Sequence, residues 1–66
     1  MTLTVNGETR HAPDGLPLQV LLDERHLSAG RVVVELNGAI IRSEAFPTIR
    51  LAAGDVLEIV QFVGGG

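Results

Sequence analysis

The group best placed to react in this 66-residue chain is its terminal carboxylate. The sequence ends Gly64-Gly65-Gly66, directly after an apolar run from Val56 to Val63 that reads as a strand. Glycine has no Cβ, so three in succession make a free and slender tail that can thread a narrow channel in a partner, where bulkier residues would block entry. Fully extended, three residues reach roughly 10 Å beyond the fold, enough to deliver the Gly66 carboxylate into another protein's active site. Such a chain is acted upon by others.

Few other groups compete for a chemical role. There is no cysteine, hence neither disulfide nor thiolate chemistry, and His11 and His26 are too few for a metal cage. Both histidines read as ordinary surface residues. Asn6, Asn37 and Asp55 each adjoin a glycine, and turn formation is sufficient reason for all three. Lysine is absent while arginine occurs five times. This either removes amines that could capture an activated acyl group or reflects a composition biased toward arginine. The net charge of −3, with no basic stripe and only two aromatic residues, argues against nucleic acid and favours basic protein surfaces as partners. No stretch approaches the roughly 20 apolar residues of a membrane span. Met1-Thr2-Leu3-Thr4 lacks the features of a signal peptide, so the expected location is cytoplasmic.

The elements that must hold the tail follow from pattern. Thr2-Leu3-Thr4-Val5 alternates, then Asn6-Gly7 supplies a tight hairpin turn, and a second strand runs from about Glu8 to Ala12 before Pro13-Asp14-Gly15. Pro17 opens a helix in its first turn, with Leu18, Leu21 and Leu22 on one face, and Gly30 is the expected left-handed exit residue. Arg31 to Leu36 is a strand, Asn37-Gly38 a second hairpin turn, and Ala39-Ile40-Ile41 a short partner strand. Arg42 to Arg50 reads as an irregular connection anchored at its end by Leu51. Ala53-Gly54-Asp55 turns into the last strand, Val56 to Val63.

With a single helix, the economical α+β architecture is a mixed four- to five-stranded sheet covered on one face. The expected core is Leu3, Val5, Leu18, Leu21, Leu22, Val32, Val34, Leu36, Leu57 and Ile59. Glu58 fixes the register of the last strand, because an unpaired carboxylate is not buried. Leu57 and Ile59 then face the helix, and Glu58, Val60 and Phe62 face outward beside the tail. Exposed apolar side chains there suit partner docking. Glu35 and Glu58 on that face could meet a basic partner.

These features together resemble the thiamine-biosynthesis sulfur carrier family, a branch of the ubiquitin-like β-grasp proteins. The resemblance spans the chain and rests on Val5-Asn6-Gly7, Val34-Glu35-Leu36-Asn37-Gly38 and Ile40-Ile41-Arg42 with Phe46 downstream. Gly54-Asp55-Val56-Leu57-Glu58-Ile59-Val60 and Phe62-Val63-Gly64-Gly65-Gly66 complete it. It implies a β-grasp domain over residues 1–63 with a flexible glycine tail, 64–66. It further implies no catalysis by the chain itself. An activating enzyme using ATP and Mg adenylates the Gly66 carboxylate, a cysteine desulfurase route supplies sulfur, and the resulting thiocarboxylate donates it to thiazole synthase. Gly64 and Gly65 would thread the partner, with Ile41, Glu58, Val60, Phe62 and Val63 as contacts. Related roles use the same tail: the small subunit of molybdopterin synthase, a carrier for tRNA thiolation, or a ubiquitin-like modifier joined to lysines.

Overall fold

Asn6-Gly7 and Asn37-Gly38 adopt a backbone that few dipeptides tolerate. In the computed structural model, which describes residues 1–63, φ is 50° and 80° at the first pair and 50° and 87° at the second. Two consecutive positive angles define the turn whose twist matches that of flanking strands. The first turn joins β1 (Thr2–Val5) to β2 (Glu8–His11), and the second joins β3 (Val32–Leu36) to β4 (Ala39–Ile41), both as antiparallel pairs. Between the hairpins lies β5 (Val56–Gln61), parallel to β1 and antiparallel to β3. The sheet order is β2-β1-β5-β3-β4, with five strands. One helix, α1 (Leu18–Glu24), covers one face, giving the α+β architecture expected from the pattern.

Nine of the ten expected core side chains are buried: Leu3, Val5, Leu18, Leu21, Leu22, Val32, Val34, Leu57 and Ile59. The tenth, Leu36, is only half-buried against the core's edge. Each large aliphatic side chain buried in this way contributes roughly 1.5–3 kcal/mol. Three further core residues come from connections. Leu16 and Leu51 are buried, and Phe46 is 1% exposed. The connection expected to be irregular contains a 3-10 helix, Ser43–Thr48, which turns Phe46 inward. A large aromatic residue in the middle of a connection was the available sign. The segments before α1 and before β5 also bind each other: Leu18 N–H donates to Ile49 O and Leu51 N–H donates to Leu16 O, both at 2.9 Å. That short ladder closes one end of the core.

The helix departs from expectation at both ends. Pro17 is its cap residue and lies just outside it, with an extended ψ of 141°. Its far end comes at Glu24, well before Gly30. The left-handed residue is His26, with φ of 59°, whereas Gly30 has no positive φ and belongs to a separate 3-10 turn, Ala29–Arg31. Leu27 N–H donates to Leu22 O at 2.9 Å and His26 N–H to Asp23 O at 3.0 Å. These two bonds form a Schellman exit, in which an apolar residue beyond the turn packs back on the fold. Leu27 supplies that contact. Burial of Leu27 therefore selects where the helix stops, overriding the local preference for glycine.

A side chain in the left-handed region costs roughly 1–2 kcal/mol, which glycine avoids at some loss of entropy. His26 is exposed. His26→Gly is expected to stabilise the domain by about 0.5–1 kcal/mol, read as a higher urea midpoint with an unchanged slope.

Candidate functional site

Alternation along β5 divides its side chains between two environments. Leu57 and Ile59 are 0% and 8% exposed under α1, whereas Val60 and Phe62 are 59% and 51% exposed on the uncovered face. Glu58 is exposed beside them. The register places Val33 opposite Val60 and Glu35 opposite Glu58. On β4, Ile40 stands opposite Glu35 and so shares the open face, where it is 64% exposed. Val56 adds a fourth exposed apolar side chain. The outcome is a sheet face with apolar groups near the point where the chain leaves the fold, an arrangement typical of partner surfaces.

Two asparagines hold β5 in position. β1 ends at Val5 after Thr4 N–H donates to Asp55 O and Asn6 N–H to Leu57 O, both at 2.9 Å. No strand backbone continues beside Ile59 on that side. The Asn6 carboxamide takes its place, its Oδ1 accepting from Ile59 N–H at 2.7 Å and its Nδ2 donating to Ile59 O at 3.2 Å. At the other end of β5, Asn37 Oδ1 accepts from Val56 N–H at 2.9 Å, while Asn37 N–H donates to Val56 O at 2.8 Å. Asn37 Nδ2 also donates to Asp55 Oδ1 at 3.0 Å, and Asp55 Oδ2 accepts from Ala52 N–H at 2.8 Å. Turn formation is thus only half of what Asn6, Asn37 and Asp55 do. The other half depends on partners up to 53 residues away, which local pattern does not show.

The final anchor before the tail is Phe62 N–H donating to Arg31 O at 2.8 Å. Val63 follows at 94% exposed. Gln61, which interrupts the apolar alternation, is exposed beyond the edge of the core and lines a small recess with Asn6, Arg25, Leu27 and Ile59.

Of the contact residues expected from sequence, Glu58, Val60 and Phe62 share the open face, with Val63 at its end. Ile41 does not join them. It pairs with fully buried Val34 and packs against the core, because alternation along β4 turns Ile40 outward instead. Gly64, Gly65 and Gly66 lie outside the described residues. His11 is exposed on β2, with Nδ1 3.5 Å from Thr2 Oγ1, and His26 makes the helix exit. Among the described residues, no cluster of three or more His, Cys, Asp or Glu side chains could hold a metal ion, and no helix is long and apolar enough to cross a membrane.

Comparison with known proteins gives a consistent result. The ThiS family model matches residues 3–66. The chain is 40% identical over 65 residues to the sulfur carrier protein ThiS of Bacillus subtilis (strain 168), covering 97% of this chain and 98% of that protein. It is 36% identical over 66 residues to a thiazole synthase of Paramagnetospirillum magneticum, but spans only 20% of that protein's length. The crystal structure of a thiamine biosynthesis protein (ThiS) from Geobacter metallireducens superposes with a TM-score of 0.83 at 38% identity, and each chain is covered completely.

The bracing of β5 can be tested without disturbing the turn. Asn6→Gly retains a residue suited to positive φ and removes only the carboxamide. Losing both bonds to Ile59 is expected to cost about 1–2 kcal/mol, measured by urea unfolding.

Proposed function

The chain belongs to the ThiS family of sulfur carriers and has their mixed-sheet β-grasp fold, and from that premise we propose how its parts carry sulfur for thiazole formation in thiamine biosynthesis. The protein is the substrate and its partners supply the catalysis. The observation that carries this reading is the family match over residues 3–66, which includes the three glycines along with the sheet.

The Gly66 carboxylate would be the atom group that changes. An α-carboxyl has a pKa of about 3.3–3.7 and is ionised at neutral pH, so it resists nucleophiles until its oxygen is made a leaving group. An ATP-dependent activating enzyme, with Mg, would join that oxygen to the α-phosphorus of ATP and release pyrophosphate. A persulfide from a cysteine desulfurase route would then attack the acyl carbon as AMP departs, and a thiol would reduce the resulting acyl disulfide to leave a thiocarboxylate. Transfer of that sulfur to the substrate held by thiazole synthase, with an oxygen from that substrate or from water taken up at the acyl carbon in its place, returns the carboxylate.

The chain's own contribution is placement. Docking the folded domain turns an encounter between two proteins into a reaction at a fixed position, which raises the effective concentration of the tail at the partner's active site. Glu58, Val60, Phe62 and Val63 would grip the partner, joined by Ile40 from β4, while Gly64 and Gly65 pass through the channel. The match to part of a protein named thiazole synthase supports that enzyme as a partner, since a carrier-like segment there belongs to the same polypeptide. All of these steps belong to the cytoplasm.

Incubation with the activating enzyme, ATP and a sulfur source is expected to yield a species heavier by the exchange of one oxygen for sulfur, localised to Gly66 by mass spectrometry. An unchanged mass would contradict the carrier reading. Gly65→Phe should unfold at the wild-type urea concentration yet fail to become thiocarboxylated. Modification at the wild-type rate would show that a slender tail is not required.

A further inference from the structure

Asn6-Gly7 and Asn37-Gly38 carry a reactivity of their own beyond the turns they make. An asparagine followed by glycine is prone to cyclise, because the glycine nitrogen, with no Cβ beside it to hinder approach, can attack the side-chain amide carbon one residue back. Both nucleophiles are available here. Neither Gly7 N–H nor Gly38 N–H donates a hydrogen bond among the described residues, and the space beside each glycine is open. Whatever restrains the reaction must therefore act on the two carboxamides.

The fold holds them to different degrees. The Asn6 carboxamide is bound at both ends by one residue of the central strand, accepting from Ile59 N–H at 2.7 Å and donating to Ile59 O at 3.2 Å in partly buried positions. To meet Gly7 N, its amide carbon must swing away from β5, and both bonds break together. Asn37 accepts from the backbone too, from Val56 N–H at 2.9 Å, but its amide nitrogen donates to the Asp55 carboxylate in a bond open to solvent. Its turn also leads into β4, an edge strand of only three residues. Asn37 is thus the more easily released of the two.

We propose that Asn37 and, more slowly, Asn6 are sites of spontaneous deamidation, and that the bridge from each carboxamide to its partners sets the rate. In the reaction the glycine nitrogen gives up its proton and bonds to the side-chain amide carbon, ammonia leaves, and a cyclic imide remains. Water, the one co-reactant, then opens the ring at either carbonyl, giving aspartate or its β-linked isomer. The consequence depends on position. At position 6 the new carboxylate has no N–H to offer Ile59 O and sets a negative charge against that carbonyl, so the brace nearest the tail is undone. At position 37 the new carboxylate meets that of Asp55. The bond pair at Ile59 therefore does two things: it completes the sheet beside β5, and it delays the reaction that would unfasten it.

The test incubates the full chain in mildly alkaline buffer, both folded and in unfolding guanidinium chloride, and follows each site by peptide mass spectrometry. Unfolded, the two Asn-Gly pairs are expected to lose ammonia at similar rates. Folded, Asn6 should react slower by about tenfold or more, the factor for breaking its two bonds, and Asn37 should fall between. Asp55→Ala, which removes the acceptor of the Asn37 amide nitrogen, is expected to speed Asn37 severalfold and leave Asn6 unchanged. Equal rates in the folded and unfolded chain, or Asn6 reacting before Asn37, would overturn the proposal. Equal acceleration of both sites by Asp55→Ala would do the same, by assigning the protection to global unfolding instead of the separate bridges. Asn6→Asp, the direct product, should have a lower urea midpoint than wild type, and an unchanged midpoint would refute the loss of the brace.

Discussion

Everything in this domain depends on β5 being held from both sides. It is the central strand, with β1 parallel on one flank and β3 antiparallel on the other. Where backbone pairing with β1 runs out, the Asn6 carboxamide substitutes for it at Ile59, and Asn37 performs the corresponding service at Val56. A peptide group buried without a partner costs about 1–3 kcal/mol, so without the Asn6 carboxamide the central strand would be weakest at Ile59, near the place where the tail begins, and without Asn37 it would be weakest at its start. Fixing Ile59 also fixes the alternation, and with it the direction in which Val60 and Phe62 point.

That alternation separates stability from function on one short strand. Leu57 and Ile59 enter the core beneath α1, whereas Glu58, Val60 and Phe62 remain outside. A small domain of this size buries only about 60% of its unfolded surface, so leaving large apolar side chains exposed is a real sacrifice of stability. A carrier needs such a surface because it has no catalytic group of its own and must be held by its partners.

Local chemistry made much of this legible in the sequence. Asn6-Gly7 and Asn37-Gly38 announce their turns because few other dipeptides accept two positive φ angles, and Glu58 reveals the register of β5 because charge avoids burial. The misses share a different cause. Gly30 looked like the helix exit, but Leu27 found its contact earlier and forced His26 into the left-handed region. Phe46 and Leu16 enter the core from connections where neither a helical nor a strand period exists to mark them. Ile41 faces the core for a reason carried by the two-residue turn Asn37-Gly38, whose register sets Ile40 opposite outward-facing Glu35 and Ile41 opposite buried Val34. The carboxamide bridge from Asn6 to Ile59 requires two distant segments to be in place before it can be seen. The order of strands was not legible, since no local signal specifies that the last strand inserts between the first and the third.

The central claim is that the open face beside β5 grips the partner and so presents the tail. The most direct measurement is a titration of isotopically labelled carrier with unlabelled thiazole synthase, following backbone amides by nuclear magnetic resonance. Perturbation is expected to be concentrated at Val33, Glu35, Ile40, Glu58, Val60, Phe62 and Val63, with α1 left unperturbed. Perturbation centred instead on Gln19, Val20 and Asp23 of α1 would contradict it.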